Sequence, residues 1–292
     1  MAQADEAKQW INVEYRGRIA IIEINRPEKL NALPKDGFYQ LSQRLREVDS
    51  HNEVSITVLI GKGRFFSAYV YTSAIRSRQA DRHRRGADVS VSRQTPPGTD
   101  LWRHGLRETV ANNLNITQAF YSHSKVLITA LNGPVVGIAA ALISFSDFIY
   151  CVPHTYLLTP FSSLGLIAEG GASVGFVRRM GVGKANEALL TSRKVPANDL
   201  LTCGFVNKIF ECSAQESAKF RTLVLAHVDE IMGEHLVASS LTETKALIAA
   251  PMRRNIETSM VAELFGGLQR TVAGIPQREF EKIRTGAKRH KL

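Results

Sequence analysis

The chain has 292 residues, of which 44% are hydrophobic, and carries a formal net charge of +10, a length that allows one large domain or two small ones with a substantial core. Its longest apolar run, near residues 135–146, is shorter than the ~20 residues that a membrane-spanning helix needs, so we expect no membrane span. Three cysteines without CxxC spacing disfavour a disulfide framework or a zinc site, and we expect reduced thiols.

The predicted elements alternate in the manner of a mixed α/β domain. Residues 19–25 form an apolar run typical of a buried strand, and Pro34 stands near the start of a helix whose apolar positions recur at spacings of three and four. Further strands are predicted at 56–61 and 126–133, with a helix near 107–123 between them.

The third of these strands is followed by a helix of small residues, GIAAALISFS, and by two short strands, DFIYCV and TYLLTP. These lead to the segment LGLIAEGGAS at 164–173, and from Val174 onward the pattern is helical almost to the end. We therefore predict an α/β core over residues 1–210 and a C-terminal helical region over 211–292.

Positive charge is concentrated in two segments. Residues 76–107 hold eight arginines and three aspartates, and the chain ends in KIRTGAKRHKL. Neither segment shows a helix-turn-helix, zinc-finger or RNP pattern, so we expect no nucleic-acid partner. A solvated surface is the simplest interpretation, and attraction of a small molecule that carries phosphate groups is the alternative.

Glu169 is an unusual acidic residue, because it directly follows an apolar run and directly precedes two glycines. Between Leu166, Ile167 and Ala168 on one side and glycine on the other, its carboxylate would be desolvated. Desolvation raises the pKa of a carboxyl group towards neutrality, where it can both accept and return a proton. The alternative is that Glu169 is a solvated loop residue or caps a helix that begins near Gly171, since helix N-termini favour carboxylates.

Several other chemistries lack their motifs in this chain. We find no GxSxG elbow, no HExxH pair and no GxxxxGK[ST] loop, which excludes the corresponding hydrolases, zinc proteases and P-loop proteins. The segment GVGKAN at 181–186 begins like a dinucleotide-binding fingerprint but lacks its third glycine.

Five motifs remain: NRPEKLNAL, GKGRFFSA, LNGPVVGIAAAL, SDFIYC and FSSLGLIAEGGAS. In this order and approximate spacing they resemble the crotonase (enoyl-CoA hydratase/isomerase) superfamily, from about Ile19 to Phe210. The resemblance implies an α/β fold, a crotonase-type spiral of ββα turns with a C-terminal helical cap and trimerisation region. It also implies an acyl-CoA substrate, of which coenzyme A is part, no separate cofactor or metal, and a homotrimer or dimer of trimers.

The same resemblance assigns roles to individual residues. LGLIAEGG resembles the motif of peroxisomal 3,2-trans-enoyl-CoA isomerases, which implies that Glu169 moves a proton from C2 to C4 of a 3-enoyl-CoA in fatty-acid oxidation. The backbone N–H groups of Val70 and Ile138 would form an oxyanion hole for the thioester enolate. The implied substrate contacts are Arg26, Lys29, Leu30, Ala68, Gly137, Phe161 and Leu166.

The chain departs from the superfamily pattern at two places. Ala141 and Phe161 stand where hydratases carry two glutamates, which disfavours hydration. The segment Tyr69-Val70-Tyr71 replaces a Gly-Ala-Asp, and tyrosine accepts a positive φ poorly, so this loop either takes another path or forms a weaker oxyanion hole. Two alternatives therefore stay open: an enzyme of secondary metabolism for an unusual acyl-CoA, and a non-catalytic acyl-CoA-binding subunit.

The final residues, His290-Lys291-Leu292, resemble the C-terminal Ser-Lys-Leu signal for peroxisomes, with a basic penultimate residue and a terminal leucine. Such a signal is read by an import receptor. The expectation from this ending is a protein of the peroxisomal matrix with that receptor as a partner.

Overall fold

The structure is a computed structural model, and it describes residues 9–68 and 98–288. Within these ranges it contains strands, α-helices and short turns of 3-10 or π helix. The strands are β1 (Ile11–Arg16), β2 (Ile19–Ile24), β3 (Ile56–Gly61), β4 (Val126–Leu131), β5 (Val135–Val136), β6 (Phe148–Cys151), β7 (Tyr156–Leu158), β8 (Val195–Pro196) and β9 (Lys208–Ile209).

Helices connect these strands and form most of the chain after Gly171. The α-helices are α1 (Lys35–Ser50), α2 (Leu101–Gly105), α3 (Ala111–Tyr121), α4 (Ile138–Leu142), α5 (Ala172–Thr191), α6 (Ala197–Thr202), α7 (Ser217–Met232), α8 (Ala238–Ala249), α9 (Arg253–Val272) and α10 (Ile275–Arg284). Short 3-10 turns lie at Pro27–Lys29, Ile143–Phe145, Ser162–Leu164 and Ala250–Met252, and a π-helical turn at Leu106–Val110 joins α2 to α3.

Six strands form the main sheet in the order β1-β2-β3-β4-β6-β9. β1 pairs antiparallel with β2, and every later pairing in this sheet is parallel. All six residues of β3 and all six of β4 are buried. A parallel strand covered on both faces needs a continuous apolar run, which is why these segments do not alternate between polar and apolar residues.

The two faces of the main sheet carry separate apolar clusters. Ile22 and Leu59 point to the face that is covered by α1, α3 and α5. Their neighbours Ile21 and Val58 point to the opposite face, where Phe220 and other residues of α7 cover them. The helix α7 lies in the predicted C-terminal region, so this region supplies one layer of the sheet's packing.

A second, smaller sheet has the order β5-β7-β8 and brings several loops together. The N–H of Gly137 donates to the Leu158 carbonyl at 2.8 Å, and the N–H of Val136 donates to the Ser67 carbonyl at 2.9 Å. An isolated parallel bridge also pairs Ser67 with Val135. The loops after β3 and β5 therefore meet at one corner of the molecule.

Most of the elements expected from sequence are confirmed. The strands β2, β3, β4, β6 and β7, and the helices α1 and α4, lie where the apolar patterns place them. The helix expected near 107–123 begins earlier, at Leu101, and passes through the π-helical turn before α3. The edge strand β1 and the short strands β5, β8 and β9 were not predicted.

The C-terminal helices pack on the core as well as on one another. α9 contacts α2, α3 and α5. The division at residues 210 and 211 stays a prediction, and it falls directly after β9.

Cys151, Cys203 and Cys212 are free thiols. Among the described residues, no helix is both long and apolar enough to cross a membrane.

Gly133 allows the loop after β4 to pass the loop after β3 at close range. A Cβ atom at this position would overlap the backbone carbonyl of Arg64, which cannot be moved by a side-chain rotation. We expect Gly133→Ala to lower the free energy of unfolding by ~1–3 kcal/mol, because overpacking forces the backbone to shift. The measurement is the melting temperature.

The matched control is Gly183→Ala in α5, where a Cβ atom meets nothing within 4 Å. Gly183 lies two residues after Gly181, where a φ of +74° interrupts α5. Alanine is a better helix former than glycine, so this variant should be at least as stable as the parent protein. Equal melting temperatures for the two variants would contradict the close approach at Gly133.

Candidate active site

The segment 165–171, called the Glu169 loop below, joins the 3-10 turn at Ser162–Leu164 to α5. Gly165, Gly170 and Gly171 have φ values of +70°, +67° and +77°, a region that glycine adopts without strain. A Cβ atom at Gly170 would lie 3.0 Å from Ile138 Cγ1. The loop therefore lies directly against the first turn of α4.

Glu169 is half-buried in this loop, between α3 and the C-terminal helices. Its Oε2 accepts a hydrogen bond from Asn113 Nδ2 at 3.1 Å. Burial raises the pKa of the Glu169 carboxyl to about 7, the negative charge of Glu263 acts in the same direction, and the Asn113 hydrogen bond opposes them. A carboxyl group with a pKa near neutrality can serve as a proton acceptor and a proton donor at physiological pH.

Glu263 in α9 caps the N-terminus of α5. Its Oε2 accepts from the Gly171 N–H at 2.7 Å and its Oε1 from the Ser173 N–H at 2.9 Å. The first N–H groups of a helix have no carbonyl partner within the helix, so an outside acceptor satisfies them. The role of cap, the alternative interpretation of Glu169, thus belongs to Glu263, while the Glu169 side chain bonds to Asn113.

α9 contacts the Glu169 loop along one face. Besides Glu263, Arg270 Nε donates to the Gly165 carbonyl at 2.7 Å. Between these two, Gly266 packs so closely on the loop that a Cβ atom there would lie 2.6 Å from Ile167 Cδ1. The spacing of three and four residues along the helix puts all three contacts on one side of α9.

The second feature of the site is the turn before α4. Gly137 directly follows β5 and has a φ of +73°, and α4 begins at Ile138. Because Ile138 is the first residue of this helix, its N–H has no acceptor within the helix. The contact with Gly170 places this turn beside the Glu169 loop. Val70, the other predicted oxyanion donor, lies outside the described residues.

The predicted substrate contacts Arg26, Lys29 and Leu30 lie together in the turn after β2. Arg26 Nη1 donates to the Ala32 carbonyl at 2.5 Å, which holds the guanidinium against the protein, whereas Lys29 is exposed. Leu30 has a φ of +54°, and its carbonyl accepts from the Ala68 N–H at 2.9 Å. Since the residue before Ala68 pairs with the strand before Gly137, this turn is linked through backbone hydrogen bonds to the turn before α4.

The remaining predicted contacts are apolar. Phe161 is buried in the main core, and Leu166 is half-buried beside the start of the Glu169 loop. Ala141 is buried behind Gly170. At both positions where hydratases carry glutamates, the chain therefore has a buried side chain without an ionisable group.

Two residues of the site were not found from the sequence. Asn113 lies 56 residues from Glu169 along the chain, and no motif marks it. Glu263 did carry a signal, because it falls on the buried stripe of α9 with Ile256, Met260 and Leu264. An acidic residue on an apolar helix face requires a specific hydrogen-bond partner.

A large open cleft lies elsewhere on the molecule. It has a volume of about 690 Å³, and the residues that line it are Pro153, His154, Thr155, Tyr156, Arg193, Lys194 and Pro196. None of the predicted site residues lines this cleft. The site is therefore identified by its side-chain chemistry and not by cavity size.

Comparisons with known proteins find relatives in one enzyme family. Residues 103–266 match a protein family described as enoyl-CoA hydratase/isomerase. A protein of Pyricularia oryzae named Delta(3,5)-Delta(2,4)-dienoyl-CoA isomerase is 54% identical over 291 residues, covering 96% of this chain and 98% of that protein. A 3,2-trans-enoyl-CoA isomerase of Saccharomyces cerevisiae is 29% identical over the full length of both chains.

Solved structures show the same fold. A crystal structure of an enoyl-CoA hydratase/isomerase from Pseudoalteromonas atlantica T6c superposes with a TM-score of 0.78, covering 97% of this chain and all of that one, at 19% identity. An enoyl-CoA hydratase from Bacillus halodurans gives a TM-score of 0.73 at 16% identity, with 94% and 99% covered.

The raised pKa of Glu169 makes a prediction about stability. In the folded protein this carboxyl group keeps its proton up to about pH 7, whereas its ordinary pKa is 4.5. Between these values the folded state binds more protons than the unfolded state, so this group makes stability fall as pH rises. We expect Glu169→Gln to be more stable than the parent protein at about pH 8, by ~1–3 kcal/mol, and to lose most of that advantage at about pH 5.

The measurement is chemical denaturation at the two pH values. Glu211→Gln, a change at an exposed position, is the control and should leave the difference between the two pH values unchanged. A stabilisation by Glu169→Gln that is equal at both pH values would contradict a raised pKa for Glu169.

Proposed function

The chain belongs to the enoyl-CoA hydratase/isomerase family, and from that premise we propose that it is an acyl-CoA isomerase in which Glu169 moves a proton along the acyl chain. The observation that carries this proposal is the Glu169 carboxyl group, half-buried, held by Asn113 and poised with a pKa of about 7. Relatives named as isomerases support the same reaction class.

The proposed reaction starts from a 3-enoyl-CoA. Ionised Glu169 accepts a proton from C2, and the electron pair left behind moves into the thioester carbonyl to form an enolate. The backbone N–H groups of Ile138 and Val70 donate to the enolate oxygen, a type of contact worth ~10²–10³ in rate. Protonated Glu169 then returns the proton to C4, the double bond forms between C2 and C3, and no water is consumed.

Isomerisation fits the residues better than hydration does. Adding water across a double bond needs a group that activates the water and a group that protonates the carbon. The two positions at which hydratases carry glutamates hold Ala141 and Phe161, and both are buried. A single carboxyl group that takes a proton and gives it back suffices for a shift of the double bond.

A second candidate substrate is a 3,5-dienoyl-CoA. The relative from Pyricularia oryzae, at 54% identity, is named for this reaction. It requires a proton to leave C2 and another to reach C6, which is farther along the chain than C4. Of the two carboxylates described at the Glu169 loop, Glu263 accepts backbone N–H groups with both oxygens, which leaves Glu169 to handle both carbon positions.

Substrate binding is proposed at the turn that contains Lys29. The resemblance assigns this turn to coenzyme A, and the exposed ammonium group of Lys29 suits its phosphates. The apolar residues Phe161 and Leu166 would contact the acyl chain. No separate cofactor is needed for a proton shift, and we propose none.

The assembly and location of the protein stay predictions. A homotrimer or dimer of trimers, a peroxisomal import receptor as partner and the peroxisomal matrix as location are implied by the resemblance and by the chain's ending. One relative, a dienoyl-CoA isomerase of Arabidopsis thaliana that is 25% identical, is named as peroxisomal.

The first test uses the purified protein with two substrates, 3-hexenoyl-CoA and 3,5-octadienoyl-CoA, and follows the ultraviolet absorbance of the conjugated products. Turnover of the first supports the 3,2-isomerase, and faster turnover of the second supports the dienoyl-CoA isomerase. If neither is converted while both bind, the protein is a non-catalytic acyl-CoA-binding subunit or acts on a different acyl chain, and the proposal is wrong.

The second test replaces the base. Glu169→Gln should lower kcat by ~10²–10⁴-fold, because a general base normally contributes that much. Binding of a saturated acyl-CoA, measured by calorimetry, should stay within a few-fold of the parent protein, since Gln has the same shape. The exposed change Glu211→Gln is the control. A Glu169→Gln variant that keeps more than about a tenth of the parent rate would exclude Glu169 as the base.

A further inference from the structure

Glu263 is a buried carboxylate that the proposed reaction does not use. It is 6% exposed and lies between Met260 and Leu264 on the core-facing side of α9. A buried carboxylate is costly unless its oxygens are hydrogen-bonded. Here two backbone N–H groups at the N-terminus of α5 satisfy it, and the partial positive charge of that helix end offsets its own.

We propose that Glu263 is a positioning residue for Glu169: its carboxylate fixes the turn that carries Glu169 and places a negative charge near it. The inference rests on the proposed function, since it concerns the same site. It assigns to the C-terminal helical region a direct part in setting the proton affinity of the base.

The geometry argues for more than helix capping. α5 begins after Gly171, which has no side chain, so the N-cap residue itself cannot accept a hydrogen bond from the first N–H groups. The acceptor comes instead from a residue 92 positions later, and the same face of α9 also contacts Gly165 and Ile167. The helix that supplies the cap therefore fixes the loop at both ends and in the middle.

The charge of Glu263 also shifts the protonation equilibrium of Glu169 in a defined direction. Like charges disfavour ionisation of their neighbours, so Glu263 and burial both favour the protonated form of Glu169. Asn113 is the opposing group, because its Nδ2–H donates to the ionised carboxylate. Removing the negative charge at 263 while leaving Asn113 in place should make Glu169 more acidic.

The other charged groups whose hydrogen bonds place them at or next to the loop lie near its Gly165 end. Arg270 of α9 donates to the Gly165 carbonyl. In and after α10, Glu279 pairs with Lys282 and Lys288 at 2.6 Å each, and Lys288 also donates to the Ser163 carbonyl. The neighbours from α4 are apolar, and α3 contributes Asn113. Among the described residues, Glu263 is thus the charged group at the α5 end of the loop that raises the pKa of Glu169.

The test is the pH dependence of kcat/KM for Glu263→Gln, which keeps the size of the side chain and removes its charge. The acid limb of the profile reports the proton that Glu169 must lose before it can act. We expect this limb to move to lower pH by about one unit. At a given pH well below the limb, the ratio of kcat/KM to its plateau value should then be ~10-fold higher in the variant than in the parent protein. A residue that only caps α5 would lower the plateau and the melting temperature without moving the limb.

Glu257→Gln is the matched control, since Glu257 lies on the same helix, is exposed and pairs with Arg253 at 3.1 Å. Its acid limb should coincide with that of the parent protein. Glu263→Asp is the second variant: it keeps the charge but withdraws it from the loop by one methylene. It should move the limb in the same direction by a smaller amount, and it serves if Glu263→Gln does not fold.

A readout without turnover separates this inference from the proposed function. The infrared carbonyl band of protonated Glu169 can be assigned as the band that Glu169→Gln lacks, and its pH midpoint can then be measured in each variant. If the parent protein converts no enoyl-CoA, the proposed function fails while this titration still tests Glu263. A midpoint in Glu263→Gln equal to that of the parent protein, or an equal shift in Glu257→Gln, overturns the inference.

Discussion

Two hydrogen bonds from the Glu263 carboxylate to the N-terminus of α5 are the interaction on which the site depends. They join residues 90 and 92 positions apart in the sequence and fix the point where the Glu169 loop becomes helix. Three glycines with positive φ let the loop follow the surface of α4 and α9. Without the Glu263 carboxylate, the Gly171 and Ser173 N–H groups would lack this acceptor, and the loop would lose the hydrogen bonds that fix its path at α5.

The site also shows how two carboxylates in one neighbourhood can have different roles. Glu263 receives two backbone N–H groups, and a helix N-terminus faces it, so its charge is fully satisfied. Glu169 receives one amide donor, in a setting that disfavours its charge. Environment rather than residue type therefore distinguishes the carboxylate that caps a helix from the one that we propose as the base.

Much of this arrangement follows from the sequence, because its signals are local. Continuous apolar runs predict the buried parallel strands, and the order of five motifs identifies the family, as the comparisons confirm. Glu169 stands out since a charge between an apolar run and two glycines is unusual. Its role as a base stays a prediction.

What the sequence did not reveal depends on tertiary contacts. The strand β1 has no alternating pattern, because its residues become more exposed along its length, and only its pairing along β2 makes it a strand at the sheet edge. In the sequence, nothing distinguishes Asn113 from other polar helix residues, and its role depends on its hydrogen bond to Glu169 in the folded structure. The capping interpretation of Glu169 could be rejected only once Glu263 was seen in that place, because a cap from a distant helix leaves no local pattern.

The distance along the chain between the Glu169 loop and α9 has a consequence for biosynthesis. A ribosome releases the chain from the N-terminus at roughly 5–20 residues per second, so the strands of the main sheet emerge well before α9 does. The sheet can therefore begin to collapse while α5 still lacks its acceptor. Contacts of long sequence separation are costly to form early, because a long loop must be closed first. We therefore expect the Glu169 loop to take its final form late in folding, and a chain that ends before α9 to lack the acceptor for the first N–H groups of α5.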